Sequence, residues 1–140
     1  MEPSGKAASS EARAEMSFGL TFDTGALIAI ERRRPRMARI YTTAVSDGLL
    51  VTVPAVVLTE WWRGRTDVAE TLLRGLRIEL VDAELGKLAG EALAAIEGAT
   101  AVDAIVMASA ARRGDVVYTS DLDDLDRLRE YFPGVRVLRV

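Results

Sequence analysis

Asp23, Glu60, Asp103 and Asp121 are the residues of this 140-residue chain best suited to chemistry. The sequence contains no histidine and no cysteine. Their absence removes imidazole general bases, thiolate nucleophiles, Ser-His-Asp triads and thiolate or imidazole zinc sites. Any chemistry therefore rests on carboxylates. Carboxylate oxygens suit hard cations such as Mg²⁺ or Mn²⁺. A cluster of them serves to hold metal against phosphate oxygens and to activate water.

Each acid also has a structural use. Asp23, in Phe-Asp-Thr-Gly-Ala-Leu, is equally suited to cap the helix that follows, because aspartate is a favoured N-cap and the helix dipole favours a negative charge there. Glu60 shares a helix face with Val56 and Val57, where a charge is costly unless paired, and Arg63 is the structural partner in reach. Asp103 heads a stripe continued by Val106, Met107 and Ala110, so it points inward. A place in the first turn after the Thr100 cap accounts for its charge but not for its apolar face. In Asp121-Leu122-Asp123-Asp124-Leu125-Asp126 most charges suit a solvated first turn. Asp121 stands out by following a strand directly and Asp124 by lying one turn on, while Asp123 and Asp126 read as surface.

The elements that must position these acids alternate in type. The pattern predicts strands at Phe18–Phe22, Leu50–Val53, Leu76–Val81, Val116–Thr119 and Val135–Val140. Between them it predicts helices over Ala26–Arg34, ended by Pro35, and Arg36–Asp47, closed by Gly48. Further helices run from Pro54 to about Arg63, Asp67–Arg74, Ala83–Glu97, Ala101–Arg113 with Thr100 as N-cap and Gly114 as breaker, and Leu122–Tyr131. Such alternation argues for a layered α/β domain with a mainly parallel sheet. In open parallel sheets ligands gather at the carboxyl ends of the strands. Asp23 and Asp121 each follow a strand and so belong on the same edge. Glu60 and Asp103 are permitted there but not placed there by this rule.

Length and composition fit one domain that buries its own core: 49% hydrophobic and 28% charged residues. Residues 1 to 16 are small and polar and read as a flexible tail, with a short frayed helix around Ser10–Glu15 as the alternative; the folded domain spans 17 to 140, and Met16 is an alternative start. Lys6 and Arg13 flank no apolar stretch, so no signal peptide is read, and no apolar run nears the ~20 residues of a membrane span. A cytoplasmic protein is the expectation. The net charge of -3 advertises no nucleic-acid binding, although a local basic patch can still supply it.

In order along the chain, Phe-Asp-Thr-Gly-Ala-Leu-Ile-Ala, Val-Val-Leu-Thr-Glu, Thr-Ala-Val-Asp-Ala-Ile-Val-Met-Ala-Ser-Ala and Thr-Ser-Asp-Leu-Asp-Asp-Leu resemble the motifs of PIN-domain nucleases. The resemblance covers Phe18 to Val140, and the compact size is similar to the VapC-type toxins of bacterial toxin-antitoxin pairs. It implies a PIN-like three-layer α/β/α fold and a Mg²⁺- or Mn²⁺-dependent endoribonuclease releasing a 5′-phosphate and a 3′-hydroxyl. It makes Asp23, Glu60, Asp103 and Asp121 the catalytic acids, with Asp23, Asp103 and Asp121 as metal ligands. Glu60 would bind a second ion or orient water, and Asp124 matches a further acid. Thr24 and Thr119 would brace the carboxylates by hydrogen bonds. Gly25 stands where many relatives carry serine, so a hydroxyl contact is missing there. The implied partners are an RNA substrate, a VapB-like antitoxin and a second copy of the chain in a homodimer.

Arg32, Arg33, Arg34, Arg36 and Arg39 form the densest basic stretch. It reads either as complement to a helix C-terminus or as a rim that grips phosphate, extended by Arg63, Arg65, Arg112 and Arg113. Trp61 and Trp62 cannot both face the core; they are core and packing residues, or a base-stacking or antitoxin-binding surface. Two other acid-at-strand-end folds fit poorly. A phosphoacceptor receiver needs a lysine ending a late strand, but the two lysines are Lys6 and Lys87. A haloacid-dehalogenase-type phosphatase needs Asp-x-Asp where this chain has Asp23-Thr24-Gly25. A catalytically silent RNA- or protein-binding module on the PIN fold is the remaining alternative.

Overall fold

The computed structural model describes residues 19–64 and 66–140. The tail at residues 1 to 16, the Phe18 end of the first strand and Arg65 lie outside the described residues. Five strands alternate with seven helices: β1 (Leu20–Phe22), α1 (Thr24–Glu31), α2 (Pro35–Ser46), β2 (Val51–Pro54), α3 (Ala55–Trp61), α4 (Asp67–Arg74), β3 (Arg77–Glu79), α5 (Ala83–Ala95), α6 (Ala101–Arg113), β4 (Val116–Thr119), α7 (Leu122–Leu128) and β5 (Arg136–Arg139). All neighbouring strands are parallel, in the order β3-β2-β1-β4-β5. β1 lies at the centre, flanked in register by β2 (Leu20 opposite Val51) and β4 (Phe22 opposite Tyr118).

Successive side chains of β1 point to opposite faces, and both faces are covered. Thr21 points toward α6, whose Arg113 donates to its hydroxyl at 2.8 Å. Phe22 points the other way, stacking on Tyr118 and meeting Tyr41 of α2 with ring centroids 6.0 and 6.3 Å apart. The result is three layers, with α5 and α6 packed together on one face and α1 against α2, α3 and α4 on the other. Phe22, Leu27, Val53, Val57, Val106, Met107, Val117 and Leu125 are fully buried between them.

Several boundaries differ from the sequence pattern. Pro35 does not end the first helix; that helix stops at Glu31, and Pro35 is the first residue of α2. Arg32, Arg33 and Arg34 form the turn between them. The Arg34 N–H reaches back to the Ala29 carbonyl at 2.9 Å, and Arg33 takes φ 57°, the left-handed conformation of a helix C-terminus. The arginines therefore fall beyond the helix end rather than in its last turn. Pro54 closes β2 and caps α3 instead of starting it, and α3 ends at Trp61 because Trp62 is extended. α7 stops at Leu128, after which Glu130 and Tyr131 make tighter turns to Arg127 and Leu128. Among the described residues, no helix is long and apolar enough to cross a membrane.

Candidate active site

β1 hands directly to Asp23, and the chain then turns into α1. The Asp23 carboxylate is buried, and its two oxygens have different partners. Oδ1 accepts from the Ala26 N–H at 3.1 Å, so the capping role is real. Oδ2 accepts a short hydrogen bond from the Thr119 hydroxyl at the end of β4. The Thr119 oxygen accepts in turn from the Asp121 N–H at 2.8 Å. One hydroxyl thus ties together the two acids that follow neighbouring strands. Asp121 occupies the N-cap position of α7, but its side chain makes no capping bond. Its exposed carboxylate is left to the cleft.

Asp103 enters from α6. The Thr100 hydroxyl caps that helix by accepting from the Asp103 N–H at 3.2 Å, and the Asp103 side chain is half-buried above Val106 and Met107. Glu60 enters from α3, standing exposed rather than within the apolar face of Val57. Its partner is the Thr24 hydroxyl, which donates to Oε1 at 2.6 Å, whereas Arg63 donates to the Trp62 carbonyl. Thr24 and Thr119 both brace carboxylates, as expected.

Asp23, Glu60, Asp103, Asp121 and Asp124 line one cleft of about 210 Å³, together with Thr24, Gly25, Thr100, Val102 and Ser120. Asp124 is shared, for it also pairs with Arg127 at 2.6 Å. Burial pushes the Asp23 carboxyl up to about 6 against its hydrogen bonds from Thr119 and Ala26, and the charge of Asp103 adds to the rise. Asp103 is raised as well, mainly by burial and further by Asp121, Asp124 and Glu60. The cleft gathers negative charge, of which the Arg127 pairing offsets that of Asp124.

An oxygen-only donor set with raised carboxyl pKa values fits a hard divalent cation, which would relieve both burial and repulsion. The acids that could supply its ligands are those lining the cleft, with Asp23, Asp103 and Asp121 the three that the resemblance implies. Among the described residues, however, no group of three acids is drawn together tightly enough to hold an ion as it stands. The exposed Asp121 and half-buried Asp103 have room to swing, while Asp23 is fixed at both oxygens.

Ser120 is the lining residue that the sequence reading missed. A Cβ at Gly25 would lie 2.0 Å from the Ser120 Oγ and 2.6 Å from its Cβ. Serine cannot occupy position 25 beside it, because the Ser120 side chain fills the space that a side chain there would take. No sequence signal marks this contact, because it depends on the start of α1 meeting the loop after β4.

The basic rim is shorter than expected. Arg32, Arg33, Arg34, Arg36 and Arg39 are exposed. Arg112 and Arg113 do not extend the rim; they bind Glu79 at 2.8 and 2.9 Å, and Arg113 also binds Asp115 at 2.9 Å. Trp61 is a core residue whose Nε1 donates to Glu31 at 3.1 Å. Trp62 packs edge-on against it and lines a surface hollow with Leu58, Thr59 and Leu73.

No protein-family model and no curated protein matches the sequence. Solved structures do match the fold. A chain of the DNA-bound VapBC of Salmonella typhimurium superposes with a TM-score of 0.70 at 18% identity, covering 88% of this chain and 98% of that one. A chain of VapBC2 from Rickettsia felis, bound to a promoter DNA fragment, gives 0.71 at 12% identity, covering 88% and 99%. A chain of FitAcB from Neisseria gonorrhoeae gives 0.57 at 19% identity, covering 85% and 96%. Over nearly the whole length of those chains, this protein has the PIN-like α/β/α fold with an all-parallel five-stranded sheet.

Proposed function

We propose that the chain is a Mg²⁺- or Mn²⁺-dependent endoribonuclease and the toxin of a toxin-antitoxin pair. The observation that carries this reading is the meeting of Asp23, Glu60, Asp103, Asp121 and Asp124 in one cleft at the carboxyl ends of parallel strands. A bound ion would polarise the scissile phosphate and lower the pKa of a water molecule. The chain's own contribution is placement. Thr119 and the Ala26 N–H hold Asp23 rigid, while Thr24 aims Glu60. In the hydrolysis, the water oxygen bonds to phosphorus as the P–O3′ bond breaks, leaving a 5′-phosphate and a 3′-hydroxyl. Glu60, the most exposed of the braced acids, is the group to orient that water.

The matched structures are complexes named VapBC and FitAcB, which supports a cognate VapB-like antitoxin as partner. An apolar hollow of about 430 Å³ lined by Ile30, Tyr41, Val68 and Leu72 offers surface for such a chain. A homodimer belongs to the same reading. The spread of the acids favours a second reading, a catalytically silent binding module on the same fold.

Purified protein free of antitoxin, incubated with a mixed RNA pool in Mg²⁺, Mn²⁺ or EDTA beside Asp103→Asn, tests the proposal. Metal-dependent cleavage that the variant loses is the expected result. Absence of cleavage with either metal, together with metal binding that Asp103→Asn leaves unchanged, overturns it and favours the binding module.

A further inference from the structure

We propose that the hollow beside the acidic cleft is a nucleotide subsite that seats the base next to the scissile phosphate. This deepens the ribonuclease reading and rests on it. The hollow has a volume of about 450 Å³ and shares Gly25 and Ser120 with the acidic cleft. A strand leaving the cleft over that shared wall enters the hollow next. Its floor is apolar, built from Ile28, Met37 and Val140, and its rim carries Arg32, Arg34 and Arg36. The volume lies in the range of small-molecule sites, roughly 300–1,000 Å³.

Those two chemistries together match a nucleotide. An apolar floor takes the flat face of a base, and guanidinium groups take its phosphate. The rim is partly pre-set: Arg36 donates from Nε and Nη2 to the Arg139 carbonyl at 3.3 and 3.0 Å, which fixes its guanidinium beside the hollow. Arg34 holds the N-cap position of α2 and is exposed at the rim. Gly25 and Ser120 form the wall that the cleft and the hollow share, and they touch so closely that only glycine fits beside the serine. The positive rim also offsets the acids next door, so a polyanion meets repulsion only where metal would neutralise it. A basic peptide finds no such match.

The test is titration of the chain in EDTA with the four nucleoside 5′-monophosphates and with inorganic phosphate, followed by nuclear magnetic resonance. At least one nucleotide is expected to bind tenfold or more tightly than phosphate. Ile28→Trp, which fills the floor, should weaken the nucleotide at least tenfold and leave phosphate unchanged. The double variant Arg34→Glu/Arg36→Glu should weaken both. Thermal melts establish that each variant folds, and Val140→Trp fills the same hollow if Ile28→Trp does not. Equal affinity for nucleotide and phosphate, no saturable binding at millimolar nucleotide, or indifference to the filled floor overturns the subsite. Nucleotide binding here, without RNA cleavage and with metal binding that Asp103→Asn leaves unchanged, overturns the ribonuclease reading and leaves the hollow a nucleotide site. Cleavage without nucleotide binding here does the reverse.

Discussion

Asp23→Asn should make the metal-free protein more stable. Asp23 is 8% exposed, and its carboxyl is raised from 3.8 to about 6. The folded state therefore binds the proton more tightly than the unfolded chain does. Between those two values stability falls as pH rises, and above about 6 the full penalty is present. A shift of about 2 units corresponds to about 3 kcal/mol at neutral pH. Asparagine removes the charge but keeps the geometry. Its Oδ1 can accept from Ala26, and its amide can donate to the Thr119 oxygen while that hydroxyl turns away. Losing the charge-assisted bonds offsets part of the gain, leaving roughly 1–3 kcal/mol. Melting temperature should rise by several degrees, on the order of 4 °C per kcal/mol for a domain of this size.

Chemical denaturation of both proteins in EDTA across pH 4–8 reads this difference. It should be small near pH 4 and grow to a plateau above about pH 6. Asp103 is raised too and adds slope to both curves, so the difference between variant and parent isolates Asp23. Added Mg²⁺ at a thousandfold excess over Kd should then reverse the order, because ligand binding stabilises only the protein that retains the carboxylate, by about 4.1 kcal/mol. A variant less stable than its parent at pH 8 in EDTA would refute the reasoning. So would a difference that stays constant across the range.

Other substitutions probe the supports of the same cleft. Thr119→Val removes the hydroxyl that serves both Asp23 and the Asp121 N–H, and should cost about 1–3 kcal/mol and weaken Mg²⁺ binding tenfold or more, measured by calorimetry. Unchanged metal affinity would remove Thr119 from the site. Gly25→Ser forces a side chain into Ser120 and should lower stability by about 1–3 kcal/mol in thermal melts, whereas Gly25→Ser/Ser120→Gly should recover most of the loss. A double variant as damaged as the single would show that the close approach is not the cause.

Alternation of strand and helix signals was enough to read the layers, the parallel sheet and the edge on which Asp23 and Asp121 stand. Asp103 was legible because Val106, Met107 and Ala110 repeat along its helix face. Pro35 was misread because proline terminates one helix and opens the next by the same fixed φ, and local sequence does not say which. Glu60 lies within α3 as read, but its partner was misread: it stands exposed at the cleft and takes the Thr24 hydroxyl, a contact 36 positions away, in place of Arg63 one turn on. Ser120 and the pairing of Arg112 with Glu79 were out of reach for the same reason. They join residues 95 and 33 positions apart, and nothing local records that approach.

That last pairing belongs to a network that bears on the cleft from the other end of α6. Arg113 donates to the buried Asp115 at 2.9 Å, to Thr21 at 2.8 Å and to Ser109 at 2.9 Å, and its Nη1 lies 2.9 Å from Glu79 without a hydrogen-bonding alignment. Asp115 also accepts from the Gly19 N–H and the Thr21 hydroxyl, both at 2.8 Å. Asp103 sits ten residues earlier on the same helix, about 15 Å away. A rigid helix locked by a buried ion pair at one end would have its tilt set at the other, so the pair has two candidate roles, sustaining the fold and positioning Asp103. Asp115→Ala leaves Arg113 with Glu79 alone as counter-ion and takes the acceptor from the Gly19 N–H and the Thr21 hydroxyl, so it should cost about 3–5 kcal/mol. Adding Arg113→Met should cost much less than a second such loss, because the charge left behind is gone. Additive losses would refute the coupling. The double variant also separates the two roles of the pair: if it folds and still binds Mg²⁺ as the parent does, the network sustains the fold alone, whereas weakened binding in a protein of near-normal stability assigns it the placement of Asp103.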